Sequence, residues 1–157
     1  MLQFVPLSKY KSGLLFQLLL KCYKEFSYKD KYLNDWKQFD KEAFSNPKIG
    51  QCVFITNLDD KPIGFVSYDP RNFPEYAIIG HNCILPMYQG KGYGKMQIEE
   101  LLGRFKKLHF IRVQVTTGEH SFFSSAQQMY LNCGFKEIKR FIGDKQDIPK
   151  IQYEKDL

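Results

Sequence analysis

The spacing of apolar and polar positions divides this chain into elements. Leu14, Leu15, Leu18, Leu19, Cys22 and Phe26 recur at intervals of one, three and four, which predicts an amphipathic helix with Ser8 placed to cap it. Residues 2–7 before it read as a short strand. A second helical stretch over residues 33–44 carries Trp36, Phe39 and Ala43, and Asn46-Pro47 ends it. Residues 52–56 and 62–68 form a hairpin pattern around Asp59-Asp60. Residues 76–85 begin apolar on both faces, as a covered central strand does, and His81-Asn82 interrupt them with polar atoms.

The second half of the chain continues the alternation. Residues 96–108 predict a helix that buries Ile98, Leu101, Leu102, Phe105 and Leu108 and shows solvent Glu99, Glu100, Lys106 and Lys107. Residues 111–116 alternate like a strand, and residues 117–123 read as a loop. A short helix then carries Ala126, Met129, Tyr130 and Cys133 on one side, and Gly134 suits its left-handed C-terminal position. Residues 135–141 and 150–154 read as two closing strands. Strands alternating with helices predict an α/β sheet with helices on both faces.

One stretch between two of these elements carries more than a turn needs. Gln89-Gly90-Lys91-Gly92-Tyr93-Gly94-Lys95 lies between a strand and a helix, with Pro86 ending the strand. Glycines there permit positive φ and leave no Cβ to hold a ligand away. The helix that follows aims unpaired N–H groups and its positive dipole end at the loop, an arrangement suited to a phosphate or pyrophosphate. Lys91 and Lys95 add positive charge. A P-loop is excluded, because Gly90 and Gly94 are too close and Met96 follows Lys95 where a hydroxyl is needed. The dinucleotide fingerprint is excluded as well, since Gln97 stands where its third glycine belongs and residues 110–115 offer no acidic partner.

The residues do fit a different signature. Ile84-Leu85-Pro86-Met87-Tyr88-Gln89-Gly90-Lys91-Gly92-Tyr93-Gly94 resembles, nearly position for position, the acetyl-CoA loop of the GNAT superfamily of N-acyltransferases. Ala126-Gln127-Gln128-Met129-Tyr130-Leu131-Asn132-Cys133-Gly134-Phe135 resembles that family's A-x-x-x-Y-x-x-x-G-F run. The resemblance covers about residues 50 to 141. It implies one domain over residues 1–157, a mixed central sheet of about seven strands flanked by helices on both faces, and acetyl-CoA as cosubstrate without a metal. It further implies that Ile84, Gln89, Gly90, Lys91, Gly92, Tyr93, Gly94 and Lys95 hold the cofactor, and that Tyr130 protonates the departing thiolate. A phenol of ordinary pKa near 10 is protonated at neutral pH, as such a donor must be.

Two departures qualify the match. Phe123 stands where many family members carry an asparagine, and Ile78 where many carry a glutamate that serves as base. His81 and Glu75 are the substitutes on or beside that strand. His81 titrates in the right range and lies nearer the loop, so it is the candidate base or water relay, with a core histidine as the alternative. Glu119-His120 either lines the acceptor pocket or is a solvated loop, and His109 at a helix end reads as a dipole complement. The aromatic region of Tyr28, Tyr32 and Trp36 either packs on the core or walls the acceptor pocket.

Composition narrows the setting. The 157 residues are 43% hydrophobic and 25% charged, as in an ordinary globular protein. No apolar run is long enough to span a bilayer, and no basic–apolar leader pattern opens the chain. Cys22, Cys52, Cys83 and Cys133 are scattered without metal-type spacing, which points to reduced thiols in the cytoplasm. The net charge of +6 is spread out and comes with no nucleic-acid motif, so a polyphosphate cofactor accounts for it better than nucleic acid. The expected activity is acetyl transfer from acetyl-CoA to a primary amine of a small molecule or peptide, with a homodimer left open. The alternative is a non-catalytic acyl-CoA-binding sensor of the same fold.

Overall fold

The computed structural model describes residues 1–144 and 147–157. Its strands are β1 (Leu2–Pro6), β2 (Val53–Leu58), β3 (Lys61–Asp69), β4 (Tyr76–Ile84), β5 (Arg112–Gly118), β6 (Lys136–Ile142) and β7 (Pro149–Asp156). Its helices are α1 (Leu14–Cys22), α2 (Leu33–Ser45), α3 (Pro47–Gly50), α4 (Tyr93–Lys107) and α5 (Ser124–Asn132). The strands form one seven-stranded sheet in the order β1-β2-β3-β4-β5-β7-β6, flanked by helices. β4 and β5 are parallel, while β1–β2, β2–β3, β5–β7 and β6–β7 are antiparallel. The expected fold class is therefore the observed one.

The chain divides into two compact units, the first being Met1–Tyr68 with His81–Gln97. Its core gathers Leu15, Leu18, Leu19 and Cys22 of α1, Trp36 and Ala43 of α2, Val53 and Ile55 of β2, Phe65 of β3 and Cys83 of β4. The hairpin turns where expected, with Asp59 and Asp60 both at positive φ (49° and 67°), as a two-residue turn matched to strand twist requires. Gly64 on β3 is needed for close packing, because a Cβ there would stand 2.2 Å from the Cys83 carbonyl oxygen.

α1 begins later than Ser8 suggests. Leu7–Lys9 is a 3-10 turn, and Gly13 is the N-cap at φ 106° with no side-chain cap of its own. The cap comes from α2 instead. Buried Asp40 accepts from Ser12 Oγ at 3.0 Å, the Gly13 N–H at 2.8 Å and the Phe16 N–H at 3.1 Å. A carboxylate there meets the helix's orphan donors and its positive dipole end together.

The second unit is Asp69–Gly80 with Ile98–Leu157. The β4–β5 pairing within it runs from Tyr76 opposite Arg112 to Ile79 opposite Val115. β5 continues to Gly118 against β7, where Arg112 faces Asp156 and Gln114 faces Glu154 in register. Both pairs are bonded, at 2.9 Å and 2.8 Å respectively. Ile98, Leu101, Leu102 and Phe105 of α4 are buried as expected, but Leu108 is not; it lies beyond the helix end and is 47% exposed.

Candidate functional site

β4 ends at Ile84, and Pro86–Tyr88 turns the chain as a 3-10 helix. Gln89 Nε2 then donates to the Ile84 carbonyl at 2.8 Å, tying the start of the loop to the end of the strand. Gly90 and Gly92 have φ of 76° and 87°, the left-handed region that favours glycine. An added Cβ at either would meet nothing within 4 Å, so the backbone here faces open space. α4 starts at Tyr93, three residues before the helix expected from periodicity, because Gly94 and Lys95 take part in its first turn.

The first i→i−4 bond of α4 joins the Met96 N–H to the Gly92 carbonyl at 3.1 Å. The N–H groups of Tyr93 and Gly94 precede that bond, and the first turn holds no acidic side chain. Lys91 reaches over the Tyr88 ring at 5.9 Å. Open space beside positive-φ glycines, a helix N-terminus and nearby lysines together suit a pyrophosphate. Acetyl-CoA fits this donor set.

His81 lies on β4 within the same unit. The Phe39 ring of α2 packs on it at 4.7 Å between centroids, with the rings inclined at 49°. Its carbonyl accepts from Ser67 Oγ at 2.8 Å. Burial pushes the imidazole pKa below its ordinary value, and the negative charge of Asp35 pulls the other way. The residue is held neutral near neutrality, as a proton acceptor must be. Glu75, its rival, is exposed just before β4 begins.

Sequence reasoning missed Asp35. It stands in the first turn of α2, four residues before Phe39, and so on the same face of the helix. The signal was present only as helical phase, since no motif marks an acid one turn before an aromatic residue. The rings of Tyr28, Tyr32 and Trp36 lie among those of Tyr23 and Phe26, with centroids from 5.2 to 6.4 Å apart, and Trp36 belongs to the core of this unit.

In the second unit Tyr130 is buried on α5, its ring 5.6 Å from that of Phe135 and 5.9 Å from that of Tyr153. Gln127 Nε2 donates to the Gly118 carbonyl at 2.8 Å, fixing α5 to the end of β5. Phe123 packs over that same glycine, where an added Cβ would stand 2.6 Å from Phe123 Cδ2. The departure from asparagine therefore gives packing in place of a polar side chain.

The remaining expected residues have structural partners. Glu119 binds Arg140 at 2.6 Å, and His120 Nδ1 accepts from the Phe122 N–H at 3.0 Å. His109 occupies a left-handed position, φ 69°, just past α4, where the Phe110 N–H reaches the Phe105 carbonyl at 3.1 Å. Burial, and next the neighbouring Cys22 thiol, push Cys83 well above the ordinary thiol range, which removes it as a nucleophile. Among the described residues no cluster of three metal-ligating side chains occurs.

A mixed sheet whose central strand turns through glycines into a helix N-terminus defines an α/β protein with a loop whose geometry suits an anionic ligand. The chain belongs to the acetyltransferase (GNAT) family, whose model matches residues 14–135. Its fold is similar to that of a GNAT-family protein from Desulfovibrio desulfuricans, with a TM-score of 0.79 at 14% identity over 99% of this chain and 98% of that one. A GNAT-family acetyltransferase from Elizabethkingia anophelis with acetyl-CoA bound gives 0.70 at 16% identity, covering 99% and 98%. A chain of the NatC complex bound to Gag peptide and CoA gives 0.67 at 18% identity, covering 99% and 98%. At such identities the likeness carries the fold alone. No curated protein matches the chain.

Proposed function

We propose that this chain is an N-acetyltransferase, a single catalytic domain that moves an acetyl group from acetyl-CoA to a primary amine of a small molecule or peptide. The observation that carries this reading is the open glycine turn leading into the N-terminus of α4. Backbone N–H groups of residues 92–95 bind the pyrophosphate, with Lys91 and Lys95 screening its charge. Gln89 holds the loop to β4 through the Ile84 carbonyl. When bound, acetyl-CoA supplies an activated acetyl thioester. His81 takes a proton from the attacking amine, directly or through water, and Tyr130 gives one to the sulfur as the C–S bond breaks. Bound peptide and acetyl-CoA in structural relatives support both the acceptor class and the donor.

The four free cysteines suit a reducing, cytoplasmic setting. Among the described residues no helix is long and apolar enough to cross a membrane.

One observation favours a second reading. Ile78 of β4 occupies the place of the family's usual base, which suits a module that binds acyl-CoA without turnover. Thiol release from acetyl-CoA across polyamines, aminoglycosides, amino acids and peptide N-termini separates the two. Release that depends on an amine establishes the transferase. Tight CoA binding with no release across the panel establishes the sensor.

A further inference from the structure

His81 is approached by side chains from two neighbouring elements and by its own strand. β3 contributes Ser67, which bonds its carbonyl. α2 contributes the Phe39 ring that covers the imidazole and, one turn earlier, Asp35. β4 itself contributes Cys83, two residues on, a thiol that burial keeps protonated. α2 also carries Lys37, which lies over the Phe16 ring at 5.5 Å, and Lys31 in the turn before it lies over Tyr28 at 5.7 Å. Asp35 therefore sits on the face of α2 whose Phe39 ring packs on His81, and its charge opposes the effect of burial on the imidazole.

We infer that Asp35 is a positioning residue for His81: its carboxylate, on the helix face that carries Phe39, steadies the imidazolium formed when His81 accepts the amine's proton. The inference rests on the proposed role of His81 as base. The arrangement has a physical logic. Burial alone makes a histidine a poor proton acceptor, because the charged form loses its water. An exposed carboxylate one turn from the covering ring restores part of that loss without a buried ion pair. It would also attract the ammonium form of an acceptor amine toward the residue that deprotonates it.

The test uses the full chain and nuclear magnetic resonance titration of its three histidines, His81 being assigned with His81→Gln. Asp35→Asn should lower the His81 midpoint by about half a pH unit or more, the scale of one partly screened opposite charge. Asp35→Glu should restore most of the shift, and Asp30→Asn, an acid in the turn before α2, should cause none. High salt should lower the midpoint in the parent and leave the Asp35→Asn protein unchanged. The ascending limb of kcat/KM should move to lower pH by the same amount. An unchanged His81 midpoint in a folded Asp35→Asn protein would overturn the inference. A moved midpoint with an unmoved kinetic limb would instead show that His81 is not the base, and the positioning role would fall with it.

Discussion

Thr56 Oγ1 donates to Gln97 Oε1 at 2.6 Å, and Gln97 Nε2 donates to the Phe65 carbonyl at 3.0 Å, with Thr56 and Gln97 almost wholly buried. One amide thus fastens the second turn of α4 to β2 and β3. Its position follows from the glycine loop, because the helix that presents its N-terminus there must be held against the sheet. A buried amide satisfied at both ends costs little, whereas half of it removed leaves polar atoms without water.

Gln97→Leu should therefore destabilise the protein by about 2 kcal/mol, since the Thr56 hydroxyl and the Phe65 carbonyl lose their partner. Adding Thr56→Val should return part of that loss, because one orphan disappears. Urea unfolding of the two singles and the double measures the coupling. Additive losses would mean the bond between these residues contributes nothing of its own.

Gly92→Val tests the loop. Its φ of 87° strains a β-branched residue, and its Cβ would enter the open space proposed for pyrophosphate. CoA affinity should fall at least tenfold, about 1.4 kcal/mol. Calorimetric titration of the folded variant decides; an unchanged dissociation constant would take the loop out of the site.

Much of this was legible in the chain. The glycine run and the A-x-x-x-Y-x-x-x-G-F run gave family and fold because such backbone constraints are written locally. What escaped depends on contacts distant in sequence. Ser8 resembles a cap, but the donors of α1 go to Asp40, 27 residues from Gly13. Leu108 fits the apolar stripe, yet the helix ends before it and the left-handed turn at His109 follows. Gln97 looked like a failed third glycine, and its part in the core required knowing that β2 and β3 lie against it. Asp35 gains meaning only once α2 covers β4.

Tyr130→Phe removes one hydroxyl and leaves the ring contacts with Phe135 and Tyr153 in place. Stability and CoA affinity should change little. If the hydroxyl protonates the thiolate, kcat should fall by roughly 100-fold, the low end for general acid catalysis, with KM for acetyl-CoA nearly unchanged. Steady-state kinetics at fixed pH measures this. A kcat within a factor of two of the parent would make Tyr130 a packing residue.

The burial of His81 sets the direction in which both stability and activity change with pH. Burial lowers its pKa in the folded chain, with Asp35 only partly opposing, while the unfolded chain keeps the ordinary value near 6.5. The unfolded state therefore binds the proton more readily. Its contribution to stability is fully present above about pH 6.5 and is lost as pH falls through the lower folded value. Urea midpoints should drop across that mildly acidic range in the parent and less so in His81→Gln. Activity should share the window: an acting base makes kcat/KM rise with pH through an apparent pKa below 6.5. In His81→Gln that limb should vanish and the plateau rate should drop. If the variant keeps both the limb and the rate, the proton belongs to the amine or to solvent. His81 would then matter only for packing under Phe39, and catalysis would consist of placing an already neutral amine beside the thioester.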